Sequence, residues 1–430
     1  MSAFSTAQVQ TGYDAAVPQN SAVPPIHQTA AYEFASLADA ADVFALRTPG
    51  NLYSRSASPT QLILEERVAA LEGGASAAAV ASGQAAVALT LLALVGRGGH
   101  VVAAEQLYGG TVDLLQDTLA DLRIPVTFVD QDDTDAWRQA IRPETRVLFA
   151  ESVANPIAQV LDFRAIADIA QGAGIPLVID NTVGTPYLVR PVEHGADFVV
   201  HSATKFLAGH GSSLGGVVVD LGTFDFGAEP EKWPQFTRPY PRFGDLVLQE
   251  RFGIGRAFVP LFKTKYVHDL GPSLSPFNAW QILQGIETLD LRVARQSATA
   301  LILAEHLAQH PKIAAVHHPG LADNPWHGLA QRYLPHGAPS VFSVDLVGAE
   351  EAFPHPRVAT VIDALEVFRL VANIGDARSL VNHPASMTHS HLSAEQRAAA
   401  GISLNTIRLS AGLEDPADLI ADLDRALAHA

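Results

Sequence analysis

The 430-residue chain is 48% hydrophobic and 17% charged, the composition of a well-packed globular protein long enough for two domains. Its 28 Lys and Arg against 45 Asp and Glu give a formal charge of −17. That charge repels phosphate backbones and argues against a nucleic-acid partner, while leaving room for a local basic pocket. With no cysteine, disulfides, thiolate catalysis and Cys-ligated metals are excluded.

Met1 to Pro25 is small and polar, with no basic segment leading into an apolar one, so it does not read as a signal peptide. Residues 1–60 read as an extended arm, punctuated by Pro18, Pro24, Pro25, Pro49 and Pro59, with one short helix from Leu37 to Leu46. Such an arm has too little apolar surface for its own core and is expected to lie on another surface, that of a neighbouring subunit.

From residue 61 helices and strands alternate. Helices are expected at Gln61–Leu71, Gln84–Val95, Thr111–Leu122 and Phe163–Gln171. Strands are expected at Ala77–Ala81, His100–Ala104, Val126–Val129, Arg146–Ala150, Leu177–Ile179, Phe198–Val200 and Val217–Val219. Short, wholly apolar strands between helices imply an α/β, doubly wound and mostly parallel sheet covered on both faces. Ala75 to Val95 resembles a membrane span in hydropathy. Ser82-Gly83-Gln84 interrupts it, so a buried strand followed by a buried helix is expected, in a soluble cytoplasmic protein. Residues 221–262 break the rhythm and read as an inserted, functional loop region narrowing the way into a site. After Pro276 one long helical pattern runs from Ala279 to about His310. Strands at Val341–Val347, Val367–Ala372 and Thr406–Leu409 and a helix from Pro416 then form a smaller α/β domain, residues 277–430.

In an open parallel sheet, ligands bind at the carboxyl ends of the strands, and polar residues cluster there. Phe198-Val199-Val200 runs into Ser202, Thr204 and Lys205. A lysine so placed can form a Schiff base with a carbonyl cofactor whose phosphate takes donors from the hydroxyls. A solvated lysine ending a strand is the plainer alternative. Ser82-Gly83-Gln84 opens a helix, where backbone N–H groups and the dipole favour an anion. Asp180, in Asp180-Asn181-Thr182, suits the ring nitrogen of a pyridine cofactor, which a carboxylate keeps protonated; a turn-forming Asp-Asn pair explains it equally well. Tyr108 could stack on a flat ring and pass a proton, or be an ordinary buried tyrosine. Asn155, in Asn155-Pro156, can turn its amide into the same crevice. Tyr53 and Arg55, two apart in the arm, face one way and could grip a phosphate. Arg408 lies on an apolar strand and needs an anion, either a substrate carboxylate or an internal salt bridge. His383, His389 and His391 match no metal-ligand spacing, and no metal is expected.

Together these motifs, in this order, resemble the Cys/Met-metabolism family of fold-type I pyridoxal-phosphate enzymes, from Pro24 to about Leu423. Phe224-Asp225-Phe226-Gly227, the run Leu270 to Ala279 and Asn373-Ile374-Gly375-Asp376-Ala377-Arg378-Ser379-Leu380 resemble its sulfhydrylase branch; related γ-lyases usually have Ser at Asn373. The resemblance implies a cofactor-binding domain at 61–276, Lys205 as the Schiff-base lysine, Asp180 at the pyridine nitrogen and Tyr108 on the ring. It implies Ser82, Gly83, Gln84, Ser202 and Thr204 at the phosphate, with Tyr53 and Arg55 reaching it from an adjacent subunit. Asn155, Asn373, Arg408 and Tyr53 would meet the substrate. The implied assembly is a homotetramer of dimers with shared sites. The implied reaction replaces the acetoxy group of O-acetylhomoserine by sulfide or methanethiol. γ-Elimination, cystathionine formation and a catalytically silent binding protein are the rivals. Ser58-Pro59-Thr60, His27 and Val183-Gly184 depart from the usual pattern and leave pocket shape open.

Overall fold

Seven short apolar runs become one sheet: β1 (Ser76–Val80), β2 (His100–Ala104), β3 (Val126–Val129), β4 (Thr145–Glu151), β5 (Leu177–Asp180), β6 (Phe198–Ser202) and β7 (Gly216–Asp220). The computed structural model describes residues 3–14 and 20–430; Pro18, expected to interrupt the arm, lies outside them. The strand order is β1-β7-β6-β5-β4-β2-β3. Its core strands are buried almost throughout, as expected for a sheet covered on both faces. β3, β2, β4, β5 and β6 pair in parallel, whereas β7 is antiparallel to both neighbours. The chain returns from β6 to β7 directly, without the crossover helix that a parallel neighbour requires.

A second sheet contains β8 (Ile313–His317), β9 (Val341–Leu346), β10 (Arg369–Leu370), β11 (Leu380–Asn382) and β12 (Thr406–Ser410), in the order β10-β11-β12-β9-β8. It is mostly antiparallel. The strand expected at Val367–Ala372 shrinks to the two residues of β10, and β8 and β11 went unforeseen. Both are short, and β8 is only half-buried, so neither carries a strong apolar signal.

Among its described residues the arm holds two helices rather than one: α1 (Phe4–Gln10) and α2 (Leu37–Phe44). α1 is docked on its own chain: Gln8 Nε2 donates to Asp290 Oδ1 at 2.6 Å, and Arg67 Nε donates to Thr11 O at 2.9 Å. α2 starts at Ser36, whose hydroxyl accepts from Asp39 N at 3.0 Å. Then come α3 (Pro59–Glu72), capped by Ser58, and α4 (Gly83–Val95), capped by Ser82.

Two further expectations are corrected. The pattern from Ala279 to His310 is two helices, Pro276–Ile286 and Leu289–Leu307. Thr288 leaves helical geometry at φ −122°, and buried Arg292 donates to the Gly285 carbonyl at 2.7 Å, which also accepts from Thr288 N at 3.3 Å. Within one chain, residues 221–262 are not a loop over the cavity. They leave from the carboxyl end of antiparallel β7, beside the amino ends of β1 and β6. There Phe226 stacks on Phe236 at 3.8 Å, and Phe258 meets Phe198 at 4.7 Å. Among the described residues, no helix is long and apolar enough to cross a membrane.

Candidate active site

Every strand of the large sheet except β7 points its carboxyl end to one side, and a cavity of about 400 Å³ opens there, within the roughly 300–1,000 Å³ usual for small-molecule sites. Its lining includes Ser82, Gly83, Gln84, Tyr108, Asn155, Asp180, Ser202, Thr204, Lys205, Asn373 and Arg408. The structure thus gathers eleven of the thirteen residues nominated from sequence. Tyr53 and Arg55 are not among them. Their side chains stack on each other at 5.6 Å, and Ser56 beside them meets His268 Nδ1 at 3.1 Å. No residue of 221–262 lines the cavity, so within one chain the insert does not narrow it.

The anion end is built by close approach. A Cβ on Gly83 would lie 2.5 Å from the Ser202 Cβ, so only glycine lets the start of α4 press onto the end of β6. The first-turn N–H groups of Gly83 and Gln84 have no acceptor within the helix and are left for an anion beside the Ser202 side chain. Of the other nominated groups, Gln84 and Thr204 have donors already engaged, and Ser82 Oγ is used as an acceptor. Ser82 caps α4 through Ala85 N at 3.1 Å, and Gln84 Nε2 donates to Gly110 O at 2.6 Å. Thr204 Oγ1 donates to Gly215 O and accepts from Gly215 N.

Tyr108 is half-exposed to the cavity, not an ordinary core tyrosine. Gly110 lies against its ring; a Cβ there would come within 2.7 Å of it. Asp180 does form the turn expected of an Asp-Asn pair, accepting Thr182 N at 2.9 Å, and also faces the cavity. Burial raises its pKa, partly offset by hydrogen bonds from Thr182 and by the charge of the nearby His201. Lys205 Nζ donates to Asn373 Oδ1 at 2.6 Å. Burial, with the Arg408 charge, lowers the Lys205 amine to about 8. Arg408 is buried and makes no ion pair among the described residues, which removes the internal salt bridge as its explanation. Nη1 donates to Asn155 Oδ1 at 3.2 Å and Nη2 to Asn373 O at 3.0 Å, while buried Nε has no partner. A buried guanidinium without a counter-ion awaits an anion.

Sequence reasoning missed Glu151, at the end of β4 and in register with Asp180. It is buried in the cavity wall, accepting Tyr108 N at 2.6 Å and Asn155 N at 3.2 Å. Burial and then the neighbouring Asp180 raise its pKa. A charged residue closing an apolar strand was the available signal, the same one that singled out Asp180. The three histidines bond within the protein: His383 to Ser386 Oγ and Leu404 O, His389 to Thr388 Oγ1, His391 to Asp113.

Residues 5–428 match the family described as Cys/Met metabolism PLP-dependent enzyme. The chain belongs to that family. Its cofactor is therefore pyridoxal phosphate, and the site fits it: the glycine-lined anion cradle, the lysine of lowered pKa and the buried carboxylate are all present. An O-acetyl-L-homoserine sulfhydrylase from Leptospira meyeri is 46% identical over 94% of this chain and 91% of its own. A solved structure of a proposed O-acetylhomoserine (thiol)-lyase from Campylobacter jejuni, with N'-pyridoxyl-lysine-5'-monophosphate at its position 205, is 37% identical. It superposes with a TM-score of 0.95 over 99% of both chains. Cystathionine gamma synthase from Xanthomonas oryzae pv. oryzae, solved with aminoacrylate and cysteine, is 30% identical with a TM-score of 0.84, covering 100% of this chain and 98% of that one.

Proposed function

We propose that this protein replaces the acetoxy group of O-acetyl-L-homoserine by sulfide or methanethiol, giving homocysteine or methionine and acetate in the cytoplasm. The observation that carries the reading is the unpaired, buried Arg408 beside Lys205 and Asn373. It matches an amino-acid carboxylate, and the similarity to sulfhydrylases is higher than that to the synthase. When bound, the cofactor withdraws electrons from the substrate's Cα, which makes its proton removable.

Arg408 pairs with the substrate carboxylate through its free Nε, and Asn155 and Asn373 hold the guanidinium in place. Lys205 Nζ, deprotonated more readily than an ordinary lysine, takes the Cα proton and serves the later transfer from Cβ. The Cγ–O bond then breaks, acetate leaves with that electron pair, HS⁻ forms the new Cγ–S bond, and Lys205 returns a proton first to Cβ and then to Cα. Tyr108, at the rim, is the second acid/base. Asp180 would hold the pyridine nitrogen protonated, and Gly83, Gln84 and Ser202 would receive the phosphate.

Mass analysis of products from O-acetylhomoserine with and without sulfide tests this. Homocysteine and acetate in equal amounts are expected, with slow 2-oxobutyrate release when no thiol is present. Rapid 2-oxobutyrate release unaffected by sulfide would make the protein a γ-lyase, and efficient cystathionine formation from cysteine would make it a synthase.

We further propose that Tyr53 and Arg55 complete the phosphate site of a neighbouring subunit in a homotetramer of dimers, because both lie outside their own chain's cavity. Mixed oligomers of Arg55→Ala and Lys205→Ala, each inactive or nearly so alone, are expected to regain part of the activity, since one site per mixed dimer keeps both residues. No recovery in proven mixed oligomers would confine the arm to its own subunit.

A further inference from the structure

Glu151 is a node between two groups that the chemistry needs in fixed relation. One of its oxygens accepts the backbone N–H of Tyr108 (2.6 Å) and the other that of Asn155 (3.2 Å). Asn155 Oδ1 accepts from Arg408 Nη1 (3.2 Å), Arg408 Nη2 donates to Asn373 O (3.0 Å), and Asn373 Oδ1 accepts from Lys205 Nζ (2.6 Å). An unbroken chain of contacts therefore runs from Tyr108 through Glu151 to Arg408 and Lys205, crossing from the large sheet to β12 of the small one.

We propose that Glu151 is a positioning residue that fixes the Tyr108 and Asn155 backbones together, so that the ring-facing tyrosine and the Arg408 carboxylate clamp keep one relative placement. The side-chain chemistry supports a carboxyl here. Both oxygens face N–H donors, and a carboxyl accepts at both ends with or without its proton, because the hydroxyl oxygen of the acid keeps a lone pair for an N–H. A glutamine of the same shape would accept at one and oppose the other with its own N–H₂. The place also comes at an energetic cost. The in-register neighbour on β5 is Asp180, and two buried carboxyls side by side disfavour ionisation of both. A side chain kept there against that cost has work to do beyond filling space.

Glu151→Gln tests the role, with two readouts. Hydrogen exchange of the substrate-free protein, followed by mass spectrometry, is expected to speed up in the peptides spanning 107–111 and 153–158. Steady-state kinetics, which rest on the reaction proposed above, are expected to show KM for the amino-acid substrate raised and kcat lowered together, with roughly 10- to 100-fold lost in kcat/KM, as for a small misplacement of reacting groups. Unchanged exchange in both peptides overturns the proposal whatever the kinetics show. Faster exchange with a lower melting temperature but unchanged KM and per-site kcat also overturns it, because Glu151 would then be structural only. Should Glu151→Gln not fold, Glu151→Asp, which keeps the charge but cannot span both donors, is read in the same two ways. A wild-type protein inactive on O-acetylhomoserine would remove the reaction, and exchange alone would then decide the placing role.

Discussion

Lys205→Ala is expected to lower turnover by at least about 10³-fold, the scale of losing a positioned acid/base, and to leave the fold intact. The lysine's one side-chain hydrogen bond is to Asn373, and burial together with Arg408 holds its pKa near 8 instead of 10.5. Folding therefore disfavours the charged amine, and stability rises with pH between about 8 and 10.5, where the folded site has lost the proton that the unfolded chain still holds. Below this window the wild-type site carries a penalty that alanine removes, so the cofactor-free variant should melt no lower than wild type at neutral pH. Borohydride, which fixes the cofactor on the wild-type lysine, should leave the variant unlabelled. In the cofactor-free wild type, acetic anhydride should modify Lys205 with a midpoint near pH 8, below that of ordinary lysines at about 10.4. Near-normal turnover in the variant would remove Lys205 from the centre of the site.

Asp180→Asn is expected to bind cofactor but turn over about 10²–10³-fold more slowly, the usual loss when one preorganised electrostatic partner goes. The same change should stabilise the cofactor-free protein. The folded-state pKa values of Asp180 and Glu151 are both raised, chiefly by burial, so the folded state holds protons that the unfolded chain releases. That contribution is fully present below the ordinary carboxylate range, about pH 4, and is lost as pH rises through the folded values. Removing one of two adjacent buried carboxyls should raise the melting temperature more at pH 8 than at pH 5. Scanning calorimetry checks this, and a melting temperature that falls equally at both pH values would deny the like-charge cost. A site that sacrifices stability for a buried charge is the common trade between activity and stability.

The parallel arrangement of the large sheet was legible because each strand is a short, wholly apolar run, a signal carried within a few residues. Lys205, Asp180 and Tyr108 were legible because each follows such a run, and strand ends at one edge of an α/β sheet meet whatever the helices between them contain. Arg408 declared itself as a lone guanidinium in apolar company. What stayed hidden depended on partners far along the chain. Glu151 became part of the site only when β4 and β5 paired in register. Arg408 could be told from a salt-bridged arginine only once its neighbours were known to be amides and carbonyls. The insert's place relative to its own chain's cavity was hidden because nothing local states that β7 runs antiparallel, and that direction starts residues 221–262 at the end of the strands away from the cavity. Apolar periodicity and strand-end chemistry are local and survive in one dimension; register, strand direction and the pairing state of a buried charge are relations between distant residues, and only the folded chain decides them.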